Sequence, residues 1–253
     1  MPDHIIIKNK IRNFNKKINI SSDKSISIRS ILVASQAVGI SKISNLLESE
    51  DVLNTLKAIK NLGINYKKKG NICYIHGFGL NGFNISKNTT INAGNSGTLA
   101  RLILGLLVKS KFKVKLTGDK SLSKRDFSRV IKPLKLMGAN IKSKNNLLPI
   151  EISGSKFLRP IEYDENIGSA QVKSCLMLSA LNTPGKTIIN SKISRNHTEL
   201  MLKFLKYPIK VQIKKDIERI SIQGLSQFKA FDYNVPGDIS SAAFFIVAPA
   251  PLE

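Results

Sequence analysis

Three observations predict an α/β fold with buried helices and outer mixed sheets. Within 253 residues the order helix, strand, helix, strand, strand recurs three times, the pattern of helices laid on sheets. The first helix of each repeat is apolar on most faces, as interior helices are. Each of these helices opens with a small polar cluster, and a basic residue follows at helical spacing.

The first repeat runs from DKSISIRSILVASQAVG, starting at Asp23, to CYIHG, ending at Gly77. The second runs from GNSGTLARLILGLL at Gly94 to IEISG at Gly154, and the third from GSAQVKSCLMLSAL at Gly168 to ISIQG at Gly224. A short strand follows each first helix: ISNLL, KVKLTG or KTIINS. A second helix ends near Gly63, Gly138 or Tyr207, and two short strands close each unit. Ser25, Gly97 and Ser169 stand 72 residues apart in turn, and so do Arg29, Arg101 and Lys173. Residues i and i+4 share a helix face, and the free N–H groups of a helix N-terminus favour an anion. The register therefore predicts one anion site built three times, with converging helix N-termini.

The motifs carry the chemistry. In SSDKSISIR (21–29), Ser22 or Asp23 caps the helix, and Lys24, Ser25 and Arg29 supply two cations and a hydroxyl for phosphate or carboxylate. In GNSGTLAR (94–101), Asn95 is the expected cap, Gly97 lets a ligand approach the backbone, and Thr98 and Arg101 add donors. The P-loop pattern is absent. In TGDKSLSKRDFSRVIKPLKLMGA (117–139), Arg125 and Arg129 are expected to share a helical face. GSAQVKS (168–174) presents Ser169, Gln171 and Lys173 as mixed donors. In SRNHTELML (194–202), Ser194 or Asn196 caps, and Arg195 and His197 lie in the first turn. In VPGDISSAAFF (235–245), Pro236-Gly237 makes a turn and Asp238 caps a last apolar helix. His76 and His197 read as structural, His4 as a surface residue, and Cys73 and Cys175 as small core residues.

Composition bounds the partners. Forty basic and 17 acidic residues give a net charge of +23, which points to an acidic partner. The lysines are scattered, and Ile, Asn and Lys are used heavily throughout, so a compositional bias with solvated faces accounts for most of the charge. Aromatic residues make up 6% and form no stacking set, which argues against nucleic acid as a partner. Two cysteines make neither a disulfide framework nor a four-ligand zinc site. No apolar run reaches 18 residues, and MPDHIIIKNKIRNFNKK is no signal peptide, so a cytoplasmic protein with no membrane partner is expected.

These six motifs, in this order, resemble those of the 5-enolpyruvylshikimate-3-phosphate synthase family. The resemblance implies transfer of the enolpyruvyl group of phosphoenolpyruvate to the 5-hydroxyl of shikimate 3-phosphate, in the shikimate pathway to aromatic amino acids. It also implies no metal and no organic cofactor, small phosphorylated substrates as partners, and a monomer at full length. The implied fold is two lobes, each of three βαβαββ units. By motif, Lys24, Ser25, Arg29, Ser169, Ala170, Gln171, Ser194 and Arg195 are implied to hold shikimate 3-phosphate. Lys24, Asn95, Gly97, Thr98, Arg101, Arg125 and Gln171 are implied to line the phosphoenolpyruvate site. The family usually has Pro where this chain has Asp126, which is expected to pair with Arg125. The acid–base carboxylates of the family have no match, so the catalytic residues are expected past residue 253 and the chain alone is expected to be inactive. Residues 21–238 are then one substrate-binding lobe, with 1–20 and 239–253 belonging to a second lobe. The alternatives are a non-catalytic anion- or nucleic-acid-binding lobe and a relative of the UDP-N-acetylglucosamine enolpyruvyl transferases.

Overall fold

The structure, a computed structural model, describes residues 17–247. The first unit contains α1 (Lys24–Ala34), β1 (Val38–Ser44), α2 (Glu50–Asn61), β2 (Asn65–Lys69) and β3 (Ile72–Phe78). The second contains β4 (Thr89–Asn92), α3 (Gly97–Leu106), β5 (Val114–Thr117), α4 (Ser128–Leu136), β6 (Asn140–Ser143) and β7 (Ile150–Ser153). The third contains β8 (Glu162–Glu165), α5 (Ala170–Leu181), β9 (Lys186–Lys192), α6 (His197–Phe204), β10 (Ile209–Lys214) and β11 (Ile217–Gln223). β12 (Asp232–Asn234) and α7 (Ile239–Val247) follow.

Each unit owns a four-stranded mixed sheet, in the orders β12-β1-β3-β2, β4-β5-β7-β6 and β8-β9-β11-β10. In every sheet the first pair is parallel and the other two are antiparallel. The leading strand of the first unit is β12, which arrives from the far end of the chain and pairs Lys42 with Asp232. The units are therefore βαβαββ, closed into a ring of three. The leading strands span three or four residues, too short for a period-two pattern to show in sequence.

The first helices fill the interior. Ile28, Ile31 and Leu32 of α1, Leu102 and Ile103 of α3, and Cys175, Leu176 and Leu178 of α5 have no exposed surface. Burial raises the Cys73 thiol to about 11, so both cysteines are inert core residues. The glycine closing each sequence repeat has a packing reason. A Cβ on Gly77, Gly154 or Gly224 would lie 2.4, 2.4 or 1.7 Å from backbone atoms of Ala37, Lys109 or Thr183, just past the end of that unit's first helix. The last strand of each unit thus crosses the helix end backbone against backbone.

The N-caps of α1, α3 and α5 are Asp23, Ser96 and Ser169, spaced 73 residues apart rather than 72. Ser25, Gly97 and Ser169 are accordingly not equivalent: they lie second in a helix, first in a helix and at a cap. The second helices share a C-terminal device. Gly63, Gly138 and Lys206 take φ of +84°, +100° and +53°, and the following N–H groups of Ile64, Ala139 and Tyr207 donate to Ile59, Leu134 and Leu202 carbonyls at 3.0, 2.9 and 2.9 Å. Only the third unit places a Cβ in this left-handed position. In α7 no side chain is buried, Ile239 and Phe244 being 72% and 78% exposed. His4 lies outside the described residues. Among the described residues no helix is long and apolar enough to cross a membrane.

Lys206→Gly is expected to raise the unfolding free energy by about 1 kcal/mol, the strain of a side chain in the left-handed region. Gly224→Ala is expected to lower it by about 1–3 kcal/mol through overpacking. Urea unfolding of both variants checks the pair.

Candidate functional site

The caps satisfy one orphan donor per buried helix. Asp23 Oδ1 accepts from Ile26 N–H at 2.7 Å, Ser96 Oγ from Leu99 at 3.2 Å and Ser169 Oγ from Val172 at 3.4 Å. The cap of α3 is thus Ser96, not Asn95. The ends of α1 and α5 and the start of α6 enclose a cavity of about 420 Å³ lined by Ser25, Arg29, Gly168, Ser169, Ala170, Gln171, Ser194, Arg195 and His197. Lys24 lies outside this lining: its Nζ pairs with Asp51 of α2 at 3.0 Å.

Arg29 is the most constrained cation of the wall, only 3% exposed. Its Nε donates to Thr198 Oγ1 at 3.0 Å, Nη2 to Ser174 Oγ at 3.1 Å and Nη1 to the Ser25 carbonyl at 2.9 Å. Thr198 in turn donates to Ser174 at 2.8 Å. These bonds occupy three of five N–H groups and lock the guanidinium at the cavity wall. Burial lowers its pKa to about 10, Glu199 and Asp23 oppose the fall, and Arg195 adds to it. Arg29 remains a cation at neutral pH.

The third member of the expected cation series behaves differently. Lys173 is fully buried and holds Glu199 at 2.8 Å together with Glu218. It turns into the protein because α5 is enclosed on every side, and a buried ammonium needs carboxylates. Lys173 is a structural group beneath the cavity, not a ligand donor.

A second cluster adjoins the first. Gln171 Oε1 accepts from Arg101 Nη1 at 3.1 Å, and Gln171 Nε2 donates to Thr98 Oγ1 at 3.0 Å. Arg125 Nη2 donates to Asn95 Oδ1 at 2.9 Å, and Asn95 Nδ2 to Asp119 at 2.6 Å. A Cβ on Gly97 would stand 2.8 Å from Arg101 Nη1 and 3.1 Å from Arg125 Nη1, so the absent side chain lets both guanidiniums flank α3's first residue. Arg101 also lies over the Phe127 ring, 5.0 Å from its centroid. Burial lowers the Arg101 pKa, as do Arg125 and Arg129, the signature of a local excess of positive charge.

Two expectations for this region are corrected. Asp126 does not pair with Arg125; it accepts from the Ser128 N–H at 2.9 Å and from the Ser128 hydroxyl, the simpler use of an acid at a helix start. Arg129 does not share a face with Arg125, which ends a 3-10 turn, Leu122–Lys124, before α4 begins. Arg129 Nη2 instead pairs with Glu165 Oε1 at 2.6 Å.

The family model for EPSP synthase (3-phosphoshikimate 1-carboxyvinyltransferase) matches residues 8–252. The chain belongs to the EPSP synthase family. It is similar to a 3-phosphoshikimate 1-carboxyvinyltransferase of Ruthia magnifica subsp. Calyptogena magnifica, 48% identical over 232 residues, which are 91% of this chain and 52% of the relative. It is also similar to one of Streptococcus sanguinis (strain SK36), 42% identical over 241 residues, 94% of this chain and 55% of that protein. An EPSP synthase structure from Acinetobacter baumannii superposes with a TM-score of 0.82 at 38% identity, over 92% of this chain and 52% of that one. The chain thus spans about half the length of the family members it matches.

His197, which reads from sequence as structural, also lines the cavity. The signal was its place in the SRNHTE motif beside Ser194 and Arg195. Among the described residues no group of three His, Cys, Asp or Glu is placed to hold a metal.

Glu165 ties the clusters together. It accepts from the N–H groups of Gly168 and Ser169 at 2.6 and 2.8 Å while pairing with Arg129. Burial pushes its pKa up, but the Ser169 N–H, Arg129 and the Gly168 N–H together hold it below the ordinary carboxylate value. A depressed folded pKa gives stability that is present above the unfolded value of about 4.3 and lost as pH falls through the folded one. The protein is expected to lose stability below about pH 4 more steeply than Glu165→Gln, as thermal melts across acid pH would show.

Proposed function

We propose that residues 21–238 form the substrate-binding lobe of an enolpyruvyl transferase acting on shikimate 3-phosphate and phosphoenolpyruvate. The observation that carries this reading is the adjacency of two cation-lined anion sites joined by Gln171, beside the cavity and beside Gly97. In this reading Arg29, Ser25, Ser169, Ala170, Gln171, Ser194 and Arg195 hold the shikimate phosphate and ring. Arg101, Arg125, Asn95, Thr98 and the open backbone at Gly97 hold phosphoenolpyruvate. Lys24 joins them by leaving Asp51, a rotation available to its half-exposed side chain.

The reaction needs a proton delivered to the methylene of phosphoenolpyruvate and a base for the 5-hydroxyl. Among the described residues no carboxylate lines the cavity, and Asp23, Asp119, Asp126 and Asp238 each accept hydrogen bonds at a helix or turn start. We therefore assign these residues binding and positioning, with proton transfer and water exclusion supplied by a second lobe of the kind the family has. Lys24, Arg125 and Arg195 are exposed, but Arg29 is buried and locked at the cavity wall, which favours one small phosphate over a polyanion.

Calorimetry with shikimate 3-phosphate tests the reading. Arg29→Ala is expected to weaken binding tenfold or more, a charged hydrogen bond contributing about 1.5–3 kcal/mol. Binding should change little with salt, whereas RNA would be lost steeply. Absence of binding, or an unchanged Arg29→Ala variant, would overturn it. Gly97→Ala is expected to displace the Arg101 and Arg125 guanidiniums and weaken phosphoenolpyruvate binding without lowering affinity for shikimate 3-phosphate, measured by the same titrations.

A further inference from the structure

The cavity wall holds polar atoms that the protein leaves without partners. His197 Nδ1 is buried and makes no hydrogen bond, and the same is true of Ser194 Oγ. Both residues line the cavity beside Arg29 and Arg195. These two atoms lie behind the cavity surface, and Ser49, Thr187, Glu199 and Tyr207 also carry unpartnered buried atoms; what couples His197 to an occupant is the place of its ring in a wall that also holds Arg29 and Arg195.

We propose that His197 takes up a proton when a phosphate fills this cavity, so that its imidazolium becomes a third cation on the ligand beside Arg29 and Arg195. The inference rests on the reading of the cavity as a phosphate site. The field explains the coupling. Burial holds the imidazole below its usual range, as do Arg29 and Arg195, against the pull of Asp23 and Asp238. α1 thus contributes Arg29 and Asp23, the turn before α6 contributes Arg195, and the turn before α7 contributes Asp238. Lys173 of α5 is fully buried and pairs with both Glu199 of α6 and Glu218 of β11. At neutral pH the free imidazole is uncharged. A phosphate of about −1.5 to −2 charges reverses the local potential and raises the imidazole pKa.

The sign follows from linkage. Between the free and bound pKa values of His197, ligand binding takes up a proton and strengthens as pH falls. Below the free value the dependence vanishes. Protonation of the phosphate near pH 6 works the other way, so the diagnostic quantity is the difference between wild type and His197→Gln.

The test is calorimetry of shikimate 3-phosphate binding at several pH values, in buffers of different ionisation enthalpy, with wild type and His197→Gln. Histidine NMR of the wild type, which has only three histidines, follows His197 directly, with His76 as internal control. Near neutral pH the proton uptake of the wild type is expected to exceed that of His197→Gln by roughly half a proton or more, and its affinity advantage should grow about three- to tenfold per pH unit of acidification within the window. The His197 resonance should move to its charged position on saturation. Equal proton counts with normal binding, or a His197 resonance that stays neutral at saturation, would overturn the proposal and leave the phosphate-site reading standing. No binding by wild type at any pH would overturn both.

Discussion

Enclosing α1, α3 and α5 on all sides governs the rest of this structure. α3 packs along α5 and α1 touches α3 and α6, and all three are buried through their middles, so those middles are apolar and only their ends are free to carry polar chemistry. The close crossings at Gly77, Gly154 and Gly224 hold each last strand against the C-terminal end of its helix. The N-terminal ends are left to face the site. Their unpaired N–H groups and positive dipole ends create a place for anions before any side chain is counted.

Side-chain charge then refines that place by burial and pairing. Arg29 is locked by Thr198 and Ser174, and Lys173 is consumed by Glu199 and Glu218 a short way beneath. Arg129 is consumed by Glu165, which in turn fastens the loop entering α5. Cations that face the cavity keep free donors, and cations that face the protein find carboxylates. The net charge of +23 is a property of the scattered surface lysines and says little about this site.

The fold was largely legible because its repeat is written at three levels: apolar helices, capped helix starts and closing glycines. The leading strands were not, since β4, β8 and β12 are too short to show alternation and β12 joins its sheet from the other end of the chain. Ser25, Arg29, Ser169, Gln171, Ser194 and Arg195, which stand out by their motifs, line one cavity. Lys173 and Arg129 were misplaced because i, i+4 spacing gives a face of a helix without saying what that face meets.

The sequence by itself determined the α/β class, the three repeats, the first-helix starts and the family, because these rest on local patterns and ordered motifs. Tertiary structure alone decided which basic residues serve the cavity. Glu218 reaches Lys173 across 45 residues of chain and Thr198 reaches Arg29 across 169, and such pairings exist only once the helices are packed. The exposure of a cation is set by neighbours brought from elsewhere in the chain, and that is why no local spacing distinguishes Arg29 from Lys173.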